Sequence, residues 1–370
     1  MKLNKLIMQG ILSGFSIAVI SACNLDSQFA YGNEKESIEV ITDINTSDII
    51  VNDKSYVTVG DSGDYQTVNE AIEALSAIYP SYKAGGFNAR ITILSGTVLD
   101  ESIDVQNADL GWITIDSQDK TVDVYGVVTT AFIRGVNSIM PMIVSDFRST
   151  GIRDVGISLN RSQMVFFGGL EGFRSGLEAS NGSYFQSSDF FVRDGIGFGS
   201  GVTALGGSTV LLGGVSQVRN MGGAGIFVDN SNLTMINGII SSNGKSATIL
   251  NQSIVDLSLC TIVNSQFSPE ISISGGSNVD ITNGDFTPTF DFASVLVSVT
   301  DSKVILNNIN FDEPSQGNAV ISNNAGEVSI MNSSRFHVVP KKGAITKVYE
   351  STLFVSPQPN LLTKDGIVFQ

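Results

Sequence analysis

From residue 162 onward a serine recurs with apolar residues two and four positions behind it. The anchors are Ser162, Ser183, Ser208, Ser231, Ser253, Ser277, Ser302, Gly326 in the same slot, and Ser351, at spacings of 21 to 25 residues. Position +2 holds Met164, Phe185, Val210, Leu233, Val255, Val279, Val304, Val328 and Leu353. Position +4 holds Phe166, Ser187, Leu212, Met235, Leu257, Ile281, Leu306, Ile330 and Val355, so seventeen of the eighteen are apolar. Side chains two apart share one face of a strand, and both columns are therefore inward. At +6 stand Gly168, Asp189, Gly214, Asn237, Asn283, Asn308 and Asn332, with Leu259 and Pro357 as exceptions. Glycine and asparagine accept a left-handed backbone, which predicts a corner there and lets stacked asparagines bond from coil to coil. A second strand follows each corner, with inward Phe286, Phe311 and Phe336. This unit, repeated nine times, predicts an all-β parallel solenoid; a β-sandwich would not hold one inward column in register through nine periods.

Ahead of the repeat the pattern changes. Tyr56 to Val59 reads as a strand and Gly60 to Asp64 as a turn. Thr67 and Glu70 form a capping-box pair before an apolar stripe at Val68, Ala71, Ile72, Leu75 and Ile78, and Pro80 ends it, which predicts a helix over 67–79. Such a helix would cover the open bore and the unpaired strand edges at the solenoid's start. Residues 122–159 are apolar but out of register, as irregular coils or a looped-out segment would be. Residues 1–23 carry Lys2, Lys5 and an apolar run from Leu6 to Ile20, the plan of a secretory signal. The run closes on Ile20-Ser21-Ala22-Cys23, which resembles a bacterial lipobox and implies lipidation of Cys23. Residues 24–55 read as an acidic polar tether, 56–355 as the solenoid with its cap, and 356–370 as a tail.

The asparagine column, the coil length and the opening helix (Gly63-Asp64-Tyr65-Gln66-Thr67-Val68-Asn69-Glu70-Ala71-Ile72) resemble the pectin-lyase-like right-handed parallel β-helix superfamily. The stretches Gly85 to Gly96 and Leu110 to Ile115 are similar to the first coils of phage tail fibres and tailspikes. The resemblance implies a right-handed β-helix and a surface exposed to polysaccharide; fold likeness alone transfers no activity.

Composition narrows the chemistry. With 21 Lys plus Arg against 36 Asp plus Glu, the net charge is −15, so a phosphate backbone is repelled and nucleic acid is excluded as a partner. One histidine and two cysteines leave no His-rich or Cys-rich metal site, and no cofactor is expected; calcium would enter only in a lyase. Asp256 and Asp280 both fall at +3, outward on consecutive coils, where two carboxylates about 5 Å apart could serve as acid and base in glycoside hydrolysis. Asp285, Asp189, Tyr184 and Arg193 are candidate glycan contacts. Outward Val165, Leu211 and Ile305 would suit a homotrimer. The sequence thus points to an extracellular β-helix that binds cell-surface polysaccharide, as in receptor recognition by a tail fibre, or to a polysaccharide hydrolase or lyase. A lipid-anchored surface adhesin, held to the membrane through Cys23 alone, is the third alternative.

Overall fold

The computed structural model describes residues 56–77, 88–125, 128–151, 153–263, 266–267, 269–287, 295–311, 320–333, 337–340, 343–349 and 367–369. Over these residues the chain is a parallel β-helix of about nine turns. Cys23, the tether, the last anchor Ser351 with Leu353 and Val355, and Phe336 lie outside the described residues.

One coil shows the plan. Ala224–Asp229 lies in sheet B, Asn232–Ile236 in sheet C and Ile239–Ser241 in sheet A, after which Lys245–Leu250 returns to sheet B one rung on. Each strand pairs in parallel with its equivalent, for example Leu233 with Val255 and Val255 with Val279. Sheets A and C are continuous through the pairing of Met142–Ser149 with Gln163–Phe167. The inward columns are as expected for eight of the nine coils: every described +2 and +4 residue is buried, Ser187 included. Phe286 is buried too, but the larger aromatic stack lies earlier, where Phe166, Phe185 and Phe190 meet at ring-centroid distances of 5.3 to 6.3 Å. The described residues of 122–159 form irregular coils, with a register shift at Val128/Ala131 and another just before the segment at Asp116/Thr121.

The helix spans Val68–Ser76, shorter than the stripe suggested. Its capping box is complete: Thr67 Oγ1 accepts from the Glu70 amide at 3.1 Å, and Glu70 Oε2 accepts from the Thr67 amide at 3.2 Å. Val68, Ala71, Ile72 and Leu75 are buried against the first coils. Glu101 fastens it, accepting from the amides of Val68 (2.6 Å) and Asn69 (3.1 Å). No helix among the described residues is long and apolar enough to cross a membrane.

The anchor serines turn out to be a buried ladder. Ser162 Oγ accepts from the Ser138 amide, Ser183 Oγ from the Ser162 amide, and so on through Ser208, Ser231, Ser253, Ser277 and Ser302, at 3.1 to 3.3 Å. Each hydroxyl donates in turn to a carbonyl at the end of its own sheet B strand; Ser253 reaches Leu250 at 2.5 Å. In the corner between sheets B and C the other amides bond to backbone carbonyls of the next coil, and the anchor serine's own amide is the one that the next coil's hydroxyl accepts from. Ser253→Ala therefore strands the buried Ser231 amide and costs about 2 kcal/mol. Urea denaturation checks this against Ser272→Ala, an outward control expected within about 0.5 kcal/mol of the parent; equal midpoints for the two variants would refute it.

The +6 corner is left-handed even at its exception. Asn237, Asn283, Asn308 and Asn332 have φ between 48° and 59°, and Leu259 has φ 58°. Asn308 Nδ2 donates to Asn283 Oδ1 at 2.7 Å, the bond from coil to coil that stacking allows. Leu259 has no such partner and is half exposed. A leucine in this conformation carries about 1 kcal/mol of strain, so Leu259→Asn raises the unfolding free energy by about that amount. An unchanged or lowered urea midpoint would show that the corner is not strained.

Candidate functional site

Asp256 and Asp280 are register partners on the outer face of sheet C. Each is held by the hydroxyl two residues on: Ser258 Oγ donates to Asp256 Oδ1 at 2.5 Å and Thr282 Oγ1 to Asp280 Oδ1 at 2.6 Å. Their row continues to Thr234 on one side and Ile305 on the other, so no basic side chain adjoins the pair within it. The other four candidates are scattered. Tyr184 is half-buried three strands away on sheet C, its hydroxyl donating to Gln186 at 2.9 Å. Asp189 is a corner residue with φ 59° whose carboxylate accepts from the Val215 amide at 2.8 Å, closing the next coil's turn. Arg193 and Asp285 are both on sheet A, four strands apart. No described group of three or more His, Cys, Asp or Glu side chains could hold a metal.

Sheet A carries what the repeat pattern did not single out. Asp123, Arg148, Glu171, Arg193 and Arg219 are successive register partners, a charge ladder on five consecutive strands. Arg148 grips Asp123 with two bonds of 2.8 and 3.0 Å, and Arg193 Nε donates to Glu171 at 2.9 Å. Those pairs leave Arg219 at the ladder's end without an ion-pair partner among the described residues. One row over, the Phe191 ring lies across Gly169 where a side chain would otherwise stand, with the Arg193 guanidinium 5.0 Å from the ring centre. Asp146, next in that row, has its carboxyl pushed up by burial, against the pull of Lys120 and Arg193.

Beyond Arg193 the chain enters the corner between sheets A and B. Here Ile196, Phe198 and Phe267 are exposed, Phe198 to 82%. Between the two aromatics the corner is built of glycine. The Gly223 amide donates to the Gly199 carbonyl, the Lys245 amide to Gly223, and the Phe267 amide to Gly244. A Cβ on Gly222 would fall on the Gly197 carbonyl, and one on Gly244 on the Gly222 carbonyl, so only glycine lets the corners stack this closely. The outcome is a tightly stacked glycine corner about 14 Å long, three rungs at the strand spacing, with Gly244 buried in it and an exposed phenylalanine at each end.

No protein-family profile and no curated protein sequence matches the chain. Among solved structures, the A-module of a mannuronan C-5 epimerase from Azotobacter vinelandii aligns at 13% identity over 76% of this chain and 94% of its own, with a TM-score of 0.29. An endo-xylogalacturonan hydrolase from Aspergillus tubingensis aligns at 16% identity over 85% of this chain and 98% of its own, with a TM-score of 0.31. The parallel β-helix is thus established by the strand register of this chain itself.

Proposed function

We propose that the protein is a surface-exposed β-helix that binds an extended polysaccharide across the glycine-floored corner, as in receptor recognition by a tail fibre. The observation that carries this is the pair of exposed rings, Phe198 and Phe267, at the two ends of the stacked glycine corner. An apolar ring face accepts the flat face of a pyranose, and two such rings three rungs apart suit an extended chain of sugars. The parallel coils repeat along one axis, which suits a repeating polymer. Attachment through a lipid on Cys23 would place the same surface on a cell, and the outward apolar residues of sheet C would serve a trimer; both belong to this proposal. In a glycan-array experiment, the double variant Phe198→Ala/Phe267→Ala binds at least tenfold more weakly than the parent with an unchanged melting temperature. Absence of any glycan bound by the parent, or equal binding by the variant, would refute the proposal.

A second reading rests on the register pairing of Asp256 with Asp280: a hydrolase acting on the bound polymer. It requires reducing-sugar release from a bound polysaccharide that is lost in Asp256→Asn and in Asp280→Asn.

A further inference from the structure

At the corner between sheets B and C, three consecutive coils differ in length. Leu205, Asp229 and Leu250 are register partners at the end of their sheet B strands. Between Leu205 and the next anchor, Ser208, stand two residues, Gly206 and Gly207; between Asp229 and Ser231 stands one, Asn230; between Leu250 and Ser253 stand two, Asn251 and Gln252. The following coil again has two, Gly275 and Gly276. A one-residue corner flanked by two-residue corners is recessed, and an open groove of about 490 Å³ lies there, lined by Gly206, Asp229, Gly275 and the exposed Asn230, Asn251 and Gln252.

The lining decides what fits. The corner's backbone donors are already used: the amides of Gly206, Gly207, Asn230 and Gln252 bond to carbonyls of the next coil at 2.6 to 3.3 Å. Asn251 Nδ2 donates to Asp229 Oδ1 at 2.7 Å and so orients that carboxylate. The side-chain amides of Asn230 and Gln252 have no hydrogen-bond partner among the described residues. The groove therefore presents two unengaged amides and one fixed carboxylate, with no aromatic ring, no cation and no aliphatic side chain lining it. An anion meets Asp229 on a chain of net charge −15, an apolar ligand finds nothing to bury against, and a single carboxylate is a poor cage for a divalent cation. A neutral ring bearing adjacent hydroxyls matches amide donors and acceptors and a carboxylate acceptor together.

We infer that this notch is a binding site for a single neutral pyranose, separate from the aromatic strip and independent of it. Asn230 and Gln252 have φ of 46° and 60°, so glycine is at home at both positions and the double variant Asn230→Gly/Gln252→Gly removes the amides without straining the corner. The experiment is saturation-transfer NMR on the full chain with the methyl pyranosides of glucose, galactose, mannose and N-acetylglucosamine. The parent is expected to transfer saturation to at least one of them, and the double variant to lose at least nine-tenths of that signal while melting at the same temperature. No transfer to any of the four, or transfer retained in the variant, overturns the inference. So does a calcium-induced rise in melting temperature that the same variant abolishes, since the notch would then be a cation site.

Discussion

Replacing Glu270 with leucine raises the unfolding free energy, and does so by about 3 kcal/mol more at pH 9 than at pH 4. Glu270 is 2% exposed, and among the described residues neither of its carboxylate oxygens has a hydrogen-bond partner. Its neighbours in register are Ser246 on one strand and Leu296 on the other, one residue before the pairs Ala247 with Ile271 and Ile271 with Val297. Burial alone pushes its pKa up from an ordinary 4.5 to about 8. Below pH 4.5 the carboxyl is protonated in folded and unfolded chains alike, and pH has no leverage through it. Between 4.5 and 8 the unfolded chain has released the proton while the folded chain keeps it, so stability falls as pH rises. Above 8 the folded state bears an ionised carboxylate without a partner, a penalty that a shift of this size caps at about 5 kcal/mol. Guanidinium titrations of parent and variant at pH 4, 6 and 9 check this. The difference between the two proteins cancels the general repulsion of an acidic chain, and it must grow with pH. A constant difference would mean that Glu270 keeps a charge-stabilising partner in the folded chain.

The fold was legible because its strongest signal is a repeated period-two pattern. The +2 and +4 columns mark the bore, and the asparagine column marks the left-handed corner, since only a few residue types tolerate that backbone. The serines were visible as markers but not as hydrogen-bond donors and acceptors, because a serine's partners depend on which amides the corner leaves unpaired. The candidate site was far less legible. Asp256 and Asp280 do face each other in register, a direct consequence of equal position within the coil. Arg193 is a candidate from the sequence, yet its partner Glu171 and the ladder on to Arg148 and Asp123 are not, although those residues recur 22 to 25 apart, at the coil period itself. A periodic search confined to apolar residues passes over them. Phe198 and Phe267 belong to corners of unequal length, so no fixed offset from an anchor relates them. Their proximity follows from the stacking of Gly222, Gly223 and Gly244, which is a property of backbone packing.

A second column explains why Glu270 is costly and carries the other large effect. Gly156, Gly176, Gly201 and Gly225 occupy one inward slot of sheet B on successive coils, followed by Ser246 and then Glu270 in the same slot. The glycines are there because side chains from sheet A fill the space opposite: Leu170 lies against Gly156, Val192 against Gly176, Val218 against Gly201 and Ile240 against Gly225. A Cβ on Gly201 would overlap Val218 Cγ1 and stand 2.8 Å from the Gly225 carbonyl oxygen. Gly201→Val is therefore expected to destabilise the protein by about 3 kcal/mol, the upper range for overpacking a close-packed core. Trimming the opposing residue in Gly201→Val/Val218→Ala restores only part of this, because the second obstacle is backbone and cannot rotate away. The double-mutant cycle, read from urea midpoints, separates the two contributions. Full recovery in the double variant would assign the whole cost to the side-chain contact, and a Gly201→Val protein as stable as the parent would show that the slot has room to spare. The same geometry limits what can occupy the slot at Glu270: a side chain directed there enters the bore, where a carboxylate finds apolar neighbours instead of water, and where leucine adds contacts without leaving a charge unpaired.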